Sequence, residues 1–186
     1  MKFSDDIFDE SNIHHKKLIS SILAGFSGFF MAYLITHDPQ AMYIFFTILI
    51  ATLLALKIDG IHHISSLIVF IIVSMFYGFN FTNFANFSIM TLIICIISAY
   101  IDEWGNDNQK LYDKSNFLKF FFNHRFTMKI TIFVLAILSL YQPTIDFFYF
   151  HIQLLSIATF IGFLCYDLAY DFAAIVFNKF FNKYIN

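Results

Sequence analysis

The eleven Lys and Arg residues of this chain fall where one side of a membrane can hold them all. Read as helical spans, the apolar stretches number six, at about 18–35, 41–56, 61–79, 85–101, 126–141 and 147–171. Lys2, Lys16 and Lys17 precede the first span, and Lys57 lies between the second and third. Lys110, Lys114, Lys119, Arg125 and Lys129 lie between the fourth and fifth or at the start of the fifth, and Lys179 and Lys183 follow the last. The other connections, around His37-Asp38, 80–85 and 142–146, carry no cation. Loops that keep their cations are cytoplasmic. Both ends of the chain are therefore expected in the cytoplasm, with the protein a multi-pass component of the cell membrane.

Composition agrees with this reading. The sequence is 59% hydrophobic and 13% charged, against about 25% charged in soluble domains. Runs such as Tyr43–Leu56 are continuously apolar and lack the in/out alternation of a membrane barrel. The expected fold class is all-α, a polytopic bundle of about six spans. Its parts are a cytoplasmic N-terminal arm (1–17), a six-span domain (18–171) with a cytoplasmic loop at 102–125, and an interfacial C-terminal helix (172–186). The last apolar stretch is long for one span and is expected to bend near Asp167–Asp171. Small residues in the first span (Ser21, Gly25, Gly28) suit close helix packing in lipid, and a homo-oligomer is allowed. A net charge of −2, with acids interleaved among the bases, gives no nucleic-acid surface. Cys95 and Cys165 lie within spans and lack a CxxC context, so no disulfide is expected.

Three groups on the cytoplasmic face carry the chemistry. Asp59, His62 and His63 sit at i, i+3 and i+4 where the third span begins, one carboxylate and two imidazoles on a shared face. Asp102, Glu103 and Asp107 stand at the end of the fourth span, where a helix disfavours acids and a hard cation would welcome them. Asp167 and Asp171 are i, i+4 neighbours that repel unless a cation lies between them. His124 and Arg125 add an imidazole and a guanidinium to the same side. Asp59, His62, His63, Asp102, Asp107, Asp167 and Asp171 are thus candidate ligands of a divalent metal ion (zinc, manganese or magnesium). Glu103 and His124 are candidate proton carriers, and Arg125 a candidate holder of phosphate charge.

The segment Lys57-Ile58-Asp59-Gly60-Ile61-His62-His63-Ile64-Ser65 resembles the "PDxDH…S" segment of the small membrane-bound metal-dependent hydrolases. His124-Arg125-Phe126-Thr127 resembles that family's "HRGxTH", and Gly162 through Tyr166 to Asp171 falls where the family carries "GxxxHxxxD". Several family positions differ here, including Tyr166 in place of a His. The resemblance implies a membrane-embedded metal-dependent hydrolase or transferase. Its expected substrate is a lipid or lipid-linked phosphate at the cytoplasmic leaflet, with membrane lipids as partners. Two other readings fit the same residues. One is a small transporter or ion-conducting subunit whose carboxylates bind a transported cation. The other is an accessory or scaffold subunit whose charges only orient it.

Overall fold

The structure is a computed structural model, and it describes residues 1–58, 60–77, 87–108, 110–111, 115–147 and 150–181. Among these, the helices are α1 (Lys2–Glu10), α2 (Lys16–His37), α3 (Pro39–Leu54), α4 (Ile61–Phe76), α5 (Ile89–Asp107), α6 (Asn116–Asn123), α7 (Phe126–Leu138) and α8 (Ile157–Phe181). Two antiparallel strands, β1 (Thr144–Phe147) and β2 (Phe150–Gln153), form a hairpin between α7 and α8.

The helices are inverted relative to those of a water-soluble protein. On α2 the buried residues are Ser20, Ala24, Gly28, Ala32 and Ile35, whereas Leu18, Ile22, Phe26 and Phe30 are exposed. On α5, Thr91, Cys95, Ser98 and Ala99 are buried while Ile89, Ile93, Ile97 and Tyr100 face outward. Water would penalise such extended apolar surface. Lipid welcomes it, and helices then associate through small residues and hydrogen bonds. Three helices, α2, α5 and α8, are long and apolar enough to cross a membrane. The pair α6 and α7, bent by 63°, passes the same test jointly. Helices α3 and α4 are apolar but only 16 residues each, about 24 Å at 1.5 Å per residue.

The chain forms two compact units. The first comprises residues 1–38, 58–80 and 164–186. Here α2 and α4 run parallel. Ser65 Oγ donates to the Ser21 carbonyl (2.9 Å), Gly25 touches Val69, and Tyr33 meets Tyr77 edge-on at 5.9 Å, so paired positions rise together. Gly28 lies against the Ser66 carbonyl with no space for a Cβ. Helix α1 docks at the end where α2 and α4 begin. Ser4 Oγ donates to the Ser20 carbonyl (2.7 Å), and Ile7 is buried.

The second unit comprises residues 39–57 and 81–163. Its helices α3 and α5 are also parallel, tied by the Ser88 N–H on Tyr43 Oη (2.7 Å) at one end and by Lys57 with Glu103 at the other. Tyr43, Cys95, Ile132, Leu135 and Leu155 lie in its core. Helix α3 ends in a tight C-cap, with the Lys57 N–H on the Thr52 carbonyl (3.0 Å) and Leu56 in the left-handed region (φ 55°). Glycine usually takes that position. The hairpin is fixed on α5. Thr91 Oγ1 donates to the Gln153 carbonyl (2.7 Å), Ser88 Oγ donates to the His151 carbonyl, and Tyr43 Oη donates to Gln153 Oε1 (2.8 Å).

Two expectations are corrected. The last helix starts at Ile157 and not at 147, because residues 144–153 pair as strands. Nor does the helix break at Asp167–Asp171. It continues to Phe181, so residues 172–181 form no separate interfacial helix.

Candidate metal centre

Of the first candidate ligand group, His62 stands in the first turn of α4. Its ring is 2% exposed, and its Nε2 lies 2.7 Å from Asp5 Oδ1. His63 Nε2 lies 3.4 Å from the same oxygen. One ligand atom from each of Asp5, His62 and His63 falls within 4.8 Å of the others. Among the described residues, this is the three-residue His/Cys/Asp/Glu group that meets such a spacing. Donors bonded to one ion at about 2.0–2.2 Å stand about 3.4 Å apart in a tetrahedral site. The His63–Asp5 spacing matches that value, and the His62–Asp5 spacing of 2.7 Å is shorter, at direct hydrogen-bond distance.

Several local features hold this arrangement. Gly60, extended at φ −107°, is the N-cap of α4, and a Cβ there would strike the His62 ring at Cε1 and Nδ1. The need for glycine at this position is thus steric and not conformational. Phe8 of α1 packs on the His62 ring, with centroids 4.5 Å apart, and the rings of His62 and His63 are 4.2 Å apart. The second nitrogen of His62, Nδ1, is buried and has no hydrogen-bond partner among the described residues. Asp59, expected to complete the ligand set, lies outside the described residues. Asp5 supplies the carboxylate in this group, from a helix that sequence reasoning treated as an arm without a site. No local spacing pointed to it, because 57 positions separate Asp5 from His62.

The other expected site residues are placed differently. Asp102 is fully buried and works as a cap. Its Oδ1 accepts from the Thr127 N–H (3.0 Å) and its Oδ2 from the Met128 N–H (2.8 Å), filling two donors at the start of α7. Glu103 is 6% exposed and lies between two cations, Lys57 Nζ at 2.6 Å and Arg125 Nη2 at 3.0 Å. Asp107 pairs with Lys57 at 2.9 Å. Desolvation lowers the Lys57 pKa, but its hydrogen bonds to Glu103 and Asp107 outweigh this and hold the pKa above the ordinary value. A cavity of about 20 Å³ lined by Thr52, Asp102, Glu103 and Arg125 adjoins the network, room for one water.

Arg125 is itself left-handed (φ 50°) and turns the chain from α6 into α7. His124 caps α6, its ring against Phe120 and Phe126. On α8, Asp167 is buried and Asp171 exposed. Asp102, Glu103, Asp107, His124 and Arg125 belong to the second unit, whereas His62, His63, Asp167 and Asp171 belong to the first. Comparison with protein-family profiles, with curated proteins and with solved structures gives no match to this chain.

Proposed function

We propose that this chain is a multi-pass membrane protein with both ends in the cytoplasm, built around a divalent-metal centre at Asp5, His62 and His63. The observation that carries the proposal is the convergence of one carboxylate oxygen and two imidazole nitrogens, from two separate helices, at the end where α2 and α4 begin. The nitrogen-rich donor set favours zinc, manganese or iron over magnesium. Three protein ligands leave coordination positions open, the arrangement of catalytic rather than structural sites. When bound, such an ion acidifies a coordinated water and polarises a phosphoryl or carbonyl oxygen. The activity proposed is therefore hydrolysis or group transfer on a lipid or lipid-linked substrate. In this proposal His62 and His63 hold the ion, Asp5 completes its shell, and Gly60 and Phe8 fix the His62 ring. Glu103, Lys57 and Arg125 carry no reaction step, because they already neutralise one another.

Two features support the six-segment topology. Parallel neighbours need a returning stretch of chain between them, and this holds both for α2 with α4 and for α3 with α5. In the second unit, Lys57, Arg125 and Lys129 cluster with the last turn of α5, whereas the hairpin at the opposite end carries no Lys or Arg. That polarity suits a cytoplasmic face.

A second reading draws on the unpartnered Nδ1 of His62. Metal-bound imidazoles usually donate their other N–H to an acceptor, and none is present among the described residues. A neutral ring that donates from Nε2 to Asp5 needs no such acceptor, so the group would then be a hydrogen-bonded clip. Elemental analysis of protein purified without a metal-binding tag separates the two readings. Near one equivalent of metal, lost in Asp5→Asn and His63→Gln, supports the metal centre. Absence of metal after incubation with zinc or manganese leaves the clip.

A further inference from the structure

We propose that the metal at Asp5, His62 and His63 is a latch that makes the docking of α1 onto α2 and α4 metal-responsive. This rests on the metal-centre reading above and adds a regulatory role to it. Helix α1 has nine residues and no side-chain N-cap, whereas isolated helices shorter than about 12–15 residues are marginal in water. Its helical state therefore depends on what it docks against. Its buried residues are Ser4, Asp6 and Ile7, and Ser4, Ile7 and the buried C-cap Ser11 lie at i, i+3 and i+7 on one stripe. The stripe is held by the Ser4–Ser20 hydrogen bond, and Phe3 meets Phe177 edge-on at 5.7 Å. Against α4, the contacts are Phe8 on the His62 ring and Asp5 on both imidazoles.

The ligand set is thus split between a short helix and the start of α4. Undocking α1 removes the one carboxylate and leaves two imidazoles that are adjacent in sequence. Two imidazoles without the carboxylate are one donor short of the three protein ligands of an open site, so the remaining pair holds an ion more weakly. An ion bound by all three ligands can form only when α1 is docked. Whatever the ion gains by binding the docked state must then reappear as added stability of docking. Couplings of this kind are typically about 5- to 150-fold.

The test is hydrogen–deuterium exchange on the full chain in detergent, stripped with EDTA and then given one equivalent of zinc, with bound zinc measured in parallel. Amides 4–10 of α1 should exchange at least about fivefold more slowly with zinc, while α2 and α4 change little. His63→Gln should abolish both the binding and the protection. Ser4→Ala removes a docking hydrogen bond but no ligand, so by reciprocity it should weaken zinc binding. Exchange in α2 and α4 reports whether each variant is folded. Zinc bound at one equivalent with unchanged exchange in α1 overturns the latch and leaves the metal centre standing. Equal protection of α1 in wild type and His63→Gln also overturns it. Failure of the wild type to bind zinc removes the metal centre and the latch together.

Discussion

Replacing Gly60 with Ala tests the metal centre without touching a ligand. The added Cβ would lie within the van der Waals envelope of His62 Cε1 and Nδ1. The ring is the far end of a rotatable side chain, so it yields before the backbone does. It cannot swing freely, because the rings of Phe8 and His63 pack against it. An off-rotamer side chain costs about 0.5–1.5 kcal/mol, and loss of glycine at an N-cap in favour of Ala costs up to about 1 kcal/mol. The metal-free protein should therefore lose about 0.5–2.5 kcal/mol and remain folded. Metal binding should suffer more in proportion, because Nε2 leaves the line to Asp5. Mispositioned ligands weaken metal affinity by about 10- to 100-fold, or about 1.4–2.7 kcal/mol. Competition of the purified variant with a chromophoric chelator for zinc reads this directly. Gly162→Ala is the control, since nothing lies within 4 Å of its Cβ position. It should leave affinity unchanged and gain about 0.5–1 kcal/mol from helix propensity. A folded Gly60→Ala protein that binds zinc as tightly as wild type would refute the steric argument.

Other consequences concern the scaffold. Gly28→Ala would press a Cβ into the Ser66 backbone carbonyl and should cost about 1–3 kcal/mol. Gly25→Ala meets Val69 at an ordinary 3.5 Å and should be neutral or slightly stabilising; denaturant titration in micelles compares the two. Asp102→Asn turns an acceptor at the α7 amides into a donor and should destabilise by about 1–3 kcal/mol in the same titration. Lys57→Met should cost about 1–2 kcal/mol, less than the 3–5 of a fully buried pair, because Arg125 remains on Glu103. The folded Lys57 pKa is raised, so its contribution is complete below the ordinary 10.5 and is lost as pH rises through the folded value. The stability difference between wild type and Lys57→Met should therefore be flat from about pH 6 to 9 and shrink only in strong alkali.

Hydropathy finds the apolar stretch of α2 because a long apolar helix averages cleanly over a window, but it ends the fourth span at 101, where α5 carries its polar last turns on to Asp107. The same averaging hid the hairpin. Thr144, Asp146, His151 and Gln153 alternate with apolar neighbours at period two, and the pairs Asp146–His151 and Thr144–Gln153 are cross-strand partners. That alternation was legible, but Phe-rich surroundings outweighed it. His62 and His63 were legible as a ligand pair from spacing on one helix. Asp5 was not, since its role depends on how α1 docks. Asp102 looked like a ligand because an acid at a helix C-terminus is locally unexplained. The explanation comes from the amides of α7, 25 and 26 positions later in the chain.

The distance in sequence between Asp5 and His62 also sets an order of events during synthesis. At about 5–20 residues per second, the 57 intervening positions take roughly 3 to 11 s to emerge. For that interval Asp5 has been made and its imidazole partners have not. Helix α1 can meet α2 first, through Ser4 and the Ser20 carbonyl, but its contacts with His62 and His63 must wait until the chain turns back into α4. On this timetable the proposed site at Asp5, His62 and His63 is complete as soon as the start of α4 has been made, while the share of the first unit that lies on α8 is still to come.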